Sequence, residues 1–277
     1  MEFLTGTGMF QFGHILALVL SMLLVGLLPF FALHFKLNKR TVYLILLIVG
    51  IVSESIKVFS YIIMNEGTLN GYLPKTDLPF HLCSIQLIFI AILNFSKNEK
   101  IKHLVESFMV PTCLIGGIAA LVLATSSART YWWIGLQYYG FHTAISAFAV
   151  YLLADRNTKF TVKDYRNTLI MLAITLFVAI YLNSFLYTPK FELNTETGLY
   201  EAKEMTSINF MYVVDPPQSG LPILNKNHGW GVYIAHYTCV AVFAVTCCYI
   251  KPIINGFKSL KVKKGENNNE SKENIDY

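Results

Sequence analysis

LPFHLCSIQL, residues 78–87, sets a histidine and a cysteine two positions apart at the start of an apolar run. These are the side chains that thiol chemistry needs, since the thiolate is the nucleophile and an imidazole is the base that generates it. Pro79 suits the first turn of a helix and Asp77, just before it, suits the cap. Cys83 then falls in the second turn, where the positive end of the helix dipole favours a thiolate able to accept an acyl group. His81 is not its base in that geometry, because positions i and i+2 of a helix point about 200° apart. Gln86, at i+3, shares the face of Cys83. An imidazole partner must come from another segment, and His14, His142 and His236 are the three available. The bland alternative is that Cys83 is one more small residue packing well in an apolar helix.

The elements that would position these groups follow from the hydropathy. The chain has 277 residues, of which 54% are hydrophobic and 14% charged, and its mean hydropathy is +0.48. That composition describes an integral membrane protein. Seven apolar runs are long enough to cross about 30 Å of hydrocarbon as helices: 9–33, 42–64, 79–95, 104–124, 131–153, 169–187 and 230–250. They are continuously apolar and lack the strict alternation of a barrel strand. The first has no basic leader and is too long for a signal sequence.

The expected fold is therefore all-α, a polytopic bundle of seven transmembrane helices over residues 1–250, followed by a cytoplasmic tail, 251–277, that is basic and then disordered. Sixteen of the 22 lysines and arginines lie in connections 1–2, 3–4 and 5–6 and in the tail, which puts the N-terminus outside and the C-terminus inside a cell membrane. The net charge of +5 reads as topology and contact with anionic headgroups, with no role for nucleic acid. One connection is long, the outer segment 188–229. It is acidic, it holds the turn-rich DPPQSGLP, and Phe191, Tyr200, Met205, Phe210, Met211 and Tyr212 argue that part of it docks on the bundle.

Polar residues inside the apolar runs narrow the chemistry. Glu54 and Lys57 are spaced i,i+3 and can pair on one face of helix 2. His103 and Glu106 open helix 4 near the cytoplasmic surface, where solvation suffices and no chemistry is assigned. At about 1.5 Å per residue, Cys83 lies roughly 6 Å below the outer boundary, His236 roughly 9 Å and His142 roughly 16 Å. Gln137 and Asn183 fall at roughly 6 to 9 Å on the same scale. Depth favours His236 without separating it from His142. The five cysteines, Cys83, Cys113, Cys239, Cys247 and Cys248, all sit in apolar runs. They form neither a disulfide framework nor a zinc spacing, and no metal or cofactor is expected.

Three stretches taken in order, LPFHLC, LQYYGFHTAISAFAVYLL and INFMYVVDPP followed by HGWGVYI, resemble the YwaF-like bacterial integral membrane proteins, which are related to the transmembrane protein 164 family. The resemblance spans most of the chain. It implies a seven-helix fold and acyl transfer between glycerophospholipids with a cysteine carrying the acyl group, here Cys83, with His142 as the histidine of helix 5. His81 and Asn209 match further positions, whereas His236 matches none. Phe210 stands where the family has tyrosine, and Gly229-Trp230-Gly231 lacks the family's prolines.

The function expected is a membrane-embedded phospholipid acyltransferase, or an acyl hydrolase of the same class. Cys83, His142 and His81 are its catalytic residues, and Gln137, Gln86, Asn209 and Glu54 contact a membrane-lipid substrate. A small transporter or channel is the alternative, its polar path lined by Glu54, Lys57, Gln137 and His142. A shared cavity with Cys83 favours the enzyme, and a separate continuous pore favours the transporter. A photoreceptor is disfavoured because residues 230–250 contain no lysine for retinal, although the acidic outer segment leaves a ligand sensor as a third reading. Nothing in the sequence sets the oligomeric state.

Overall fold

A computed structural model describes residues 12–60, 73, 75, 78–123, 132–193, 198–206, 208–216, 224–256 and 258. Among them are seven α-helices: α1 Phe12–His34, α2 Lys39–Val58, α3 Leu82–Phe95, α4 Glu99–Leu123, α5 Trp132–Ala154, α6 Val162–Leu186 and α7 Trp230–Cys248. Five of them (α1, α2, α4, α6 and α7) are long and apolar enough to cross a membrane. The other two differ for physical reasons. At 1.5 Å per residue the 14 residues of α3 span only about 21 Å, and α5 is buried along most of its length, so it needs no fully apolar surface. α5 packs against α1, α2 and α4, α3 fits between α2 and α4, and α6 lies against α4 and α7.

The all-α expectation needs one addition. Within the outer segment, β1 Thr188–Leu193 and β2 Tyr200–Thr206 form an antiparallel hairpin, Thr188 opposite Thr206, with a bulge at Lys190/Phe191. After it, a 3-10 turn at Phe210–Tyr212 is pressed into the bundle, with Ile208, Phe210, Met211 and Val213 all buried. Docking of this segment thus holds for Phe210, Met211 and Tyr212. The side chains of Phe191, Tyr200 and Met205 lie outside the described residues, as does Asp77, the expected cap of helix 3.

The turn is irregular backbone, with positive φ at Met211 and Tyr212, a conformation that residues with a side chain adopt at a cost. Its carbonyls still find donors, because α6 and α7 supply them. Asn183 brackets Phe210, accepting from its N–H at 2.8 Å and donating to its carbonyl at 3.2 Å. The Tyr237 hydroxyl donates to the Met211 carbonyl at 2.7 Å, Tyr233 donates to that of Tyr212, and the Trp230 indole donates to that of Val213 at 2.9 Å. Asn209 closes the following bend, accepting from Val214 and Asp215 N–H and donating to the Asp215 carbonyl.

The opposite end of the bundle, where the basic connections gather, corrects the reading of Glu106. That carboxylate is buried and not solvated. The Tyr43 hydroxyl donates to it, and Lys39 pairs with it at 3.0 Å and lies 4.0 Å from Asp155. His103 stands between Glu106 at 3.7 Å and Asp164 at 3.1 Å, and Asp164 with Thr161 forms the capping box of α6. Residues of α2, α4, α6 and the end of α5 are thereby tied together.

Two substitutions test this packing. Glu106→Ala strands the buried Tyr43 hydroxyl, and thermal unfolding in detergent should show a loss of about 1–3 kcal/mol. Gly117→Ala should cost about 1–3 kcal/mol by overpacking, since a Cβ there would lie 2.2 Å from Ser146 Oγ and 3.1 Å from the His142 carbonyl oxygen. Gly140→Ala, where a Cβ meets nothing within 4 Å, is the control and should unfold at a midpoint no lower than that of the unaltered protein, since alanine favours a helix interior by about 0.5–1 kcal/mol over glycine.

Candidate functional site

α3 begins three residues later than Pro79 suggests. Residues 78–80 form a turn, His81 is the N-cap with extended backbone, and Leu82 opens the helix. Cys83 therefore sits in the first turn, not the second. Because His81 is not helical, the i,i+2 geometry that set it apart from Cys83 does not apply. Its ring packs on Phe210 at 5.3 Å and Tyr212 at 5.7 Å, so the buried turn of the outer segment positions it. The first hydrogen bond within the helix runs from Ile85 N–H to the His81 carbonyl, which leaves the earlier amides of that turn without a helical acceptor.

The register between α2 and α3 is set where a missing side chain lets them approach. A Cβ at Gly50 would come within 2.7 Å of Leu87 Cδ1, so Leu87 lies directly on α2 at Gly50. The two helices run in opposite senses, and one turn from that contact brings Glu54 level with Cys83. Glu54 and Lys57 form the expected pair, Nζ to Oε1 2.7 Å. On the α5 side Gln137 donates to Ser53 Oγ at 2.6 Å, fixing the third wall.

These walls enclose a cavity of about 400 Å³ that opens among α2, α3, α4, α5 and α7 and the buried turn. Glu54, Lys57, His81, Cys83, Gln137 and His142 all line it. His142 is buried, and its Nδ1 lies 2.6 Å from the Tyr138 carbonyl. A carbonyl only accepts, so Nδ1 carries the proton and Nε2 is the basic nitrogen of the neutral ring. Tyr138 is itself held by its hydroxyl, which donates to the Ala120 carbonyl at 2.6 Å. The rest of the lining is mostly apolar or small, including Gly116, Ala119, Ala120, Ala241, Ala244 and Val245.

The other named residues lie elsewhere. His14 is buried against the Leu121 carbonyl at 2.9 Å, and His236 is exposed on α7. Depth had favoured His236, but depth along a helix ignores which face a residue takes. Asn209 spends its amide on the turn. Gln86 is fully buried behind Cys83, its amide nitrogen donating to the Leu82 carbonyl and to Thr112 Oγ1; it reaches the cavity only through Thr112, which lines it. Ser84, Thr112, Tyr138 and Tyr237 line the cavity without having been singled out in the sequence, and Tyr212, named there for docking, lines it too. The tyrosines of the Gln137-Tyr138-Tyr139 stretch and of α7 carried the missed signal, being polar-tipped residues in apolar helices. Among the described residues no cluster of three or more histidine, cysteine or acidic side chains is placed to hold a metal ion.

The sequence model of the TMEM164 family matches residues 9–249. No curated protein and no solved structure matches the chain. The family match takes in every one of the seven helices and the whole of the cavity lining, and with five helices fit to cross a membrane the chain is a multi-pass membrane protein that belongs to the TMEM164 family.

Proposed function

We infer that the protein is a membrane-embedded lipid acyltransferase working through an acyl thioester on Cys83. The observation that carries this reading is that Cys83 and His142, far apart in sequence, line one cavity, with the tautomer of His142 set so that its basic nitrogen is Nε2. In the forward step His142 takes the thiol proton as the sulfur attacks the ester carbonyl carbon of a phospholipid. The carbon–oxygen bond breaks, and the proton passes to the departing lysophospholipid oxygen. A second lysophospholipid hydroxyl then attacks the thioester, with His142 as base again. Water in that place gives the hydrolase variant.

The oxyanion formed at each attack needs donors. The first-turn amides of α3 next to Cys83 are better suited than Gln86 or Asn209, whose amide groups are engaged. The small and apolar residues along α4 and α7 suit an acyl chain, and the apolar helices give the substrate a route from the bilayer. The same reading takes all seven helices as spans of a cell membrane, with the N-terminus outside as the basic connections direct, and places the chain in the YwaF-like bacterial branch on the strength of its ordered motifs. The transporter alternative relied on Glu54, Lys57, Gln137 and His142 forming a path of their own. Their sharing a cavity with Cys83 favours the enzyme.

Acyl exchange between a labelled phospholipid and an unlabelled lysophospholipid in reconstituted vesicles tests the reading. Cys83→Ala should abolish exchange, and His142→Ala should slow it by about 10²–10⁴-fold. Full activity of Cys83→Ala would rule out the thioester route.

A further inference from the structure

The Glu54–Lys57 pair is the feature of the cavity that the acyl-transfer chemistry above leaves without a task. An ion pair in an apolar wall is not an economical way to hold two helices, because desolvating both charges offsets most of their attraction. The contact between Lys57 and Glu54 itself lies within α2, in its last turns. Its two ends also differ. The Lys57 side chain is 13% exposed and that of Glu54 30%, so the ammonium is the more enclosed member and its field is the less screened. The contact between Gly50 and Leu87 places this stretch of α2 alongside the first turn of α3. Lys57 and Cys83 line the same cavity there.

We propose that Lys57 is a catalytic cation, held in the cavity wall by Glu54 so that it faces the negative charge that develops at Cys83 and at the acyl oxygen during attack. The proposal rests on the acyl-thioester reading and deepens it. Attack turns a neutral thiol and ester into an anionic tetrahedral intermediate, with the thiol proton on His142 and the negative charge on the former carbonyl oxygen. Collapse breaks the bond to the lysophospholipid oxygen and returns the proton from His142 to it. Lys57 gains and loses no proton in either step. It stabilises the anion between them, as a fixed charge in a site of low polarisability does most effectively. Glu54 acts through Lys57 and is a positioning residue.

Two measurements decide it. In the first, purified protein is treated with an anionic methanethiosulfonate (sulfonatoethyl) and a cationic one (trimethylammonioethyl), and modification of the Cys83 peptide is followed by mass spectrometry. A cation facing the thiol makes the anionic reagent react faster. That preference should fall several-fold in the Glu54→Gln, Lys57→Met double variant, which removes the pair without stranding a charge, and should persist in Lys57→Arg. An unchanged preference in the double variant, with an unchanged unfolding midpoint, would overturn the proposal.

The second measurement is the rate of Cys83 acylation by a phospholipid and by a neutral p-nitrophenyl ester of a fatty acid. Slowing with both donors places Lys57 at the acyl group. Slowing with the phospholipid alone would make Lys57 a phosphate anchor and overturn the assignment. If neither donor acylates wild-type Cys83, the acyl-thioester reading fails and the catalytic assignment of Lys57 falls with it; the reagent preference then reports separately whether Lys57 sets the charge at the thiol.

Discussion

A helical bundle in hydrocarbon must satisfy its polar groups from within, and the turn over residues 208–216 is where that constraint is tightest. Four consecutive carbonyls, from Phe210 to Val213, lie outside any regular ladder. Each is met by a side chain of α6 or α7: Asn183, Tyr237, Tyr233 and Trp230 in order. Removing these donors would strand the carbonyls and offset the gain from burying Ile208, Phe210, Met211 and Val213. With the turn go the ring contacts that hold His81, the wall formed by Met211 and Tyr212, and the way α6 and α7 close the cavity.

The same constraint explains why the two ends of the bundle look different. At the basic end Lys39 gathers Glu106 and Asp155, and the His103 ring stands between Glu106 and Asp164, which makes that end a clasp. The cavity end relies more on hydrogen bonds. His142 Nδ1 lies against the Tyr138 carbonyl and Gln137 donates to Ser53 Oγ, and both the ring and the amide stay in the cavity wall. Gly117 lets α4 and α5 approach closely enough for this arrangement to persist beside a hollow.

Much of this was legible in the sequence, for reasons that differ from residue to residue. The helices follow from the apolar runs, with shifted ends, and five of the seven are long and apolar enough to cross a membrane. α3 starts at Leu82 because residues 78–80 prefer a turn, while α4 and α6 gain polar turns at the basic end that hydropathy does not count. The Glu54–Lys57 pair was readable because it is local, and the place of Cys83 near the start of helix 3 because an apolar run begins there. That His142 lines the cavity while His236 is exposed was not readable from depth, because the face of the helix decides it. The burial of Glu106 depends on Tyr43 and Lys39 from another helix, which no local pattern reports. The hairpin left a fainter trace. KFEL and YEAKEM alternate loosely between apolar and charged residues around TETG, a strand signal overlooked within a segment taken for a loop.

The account turns on one covalent species. Incubating the reconstituted protein with phospholipid, quenching in acid and mapping adducts by mass spectrometry tests it most directly. The account predicts a single acyl adduct on the Cys83 peptide, of the mass of the donor's fatty acyl chain and removed by neutral hydroxylamine as a thioester is. Acyl exchange proceeding with no adduct on Cys83, or adducts spread over all five cysteines, would contradict it.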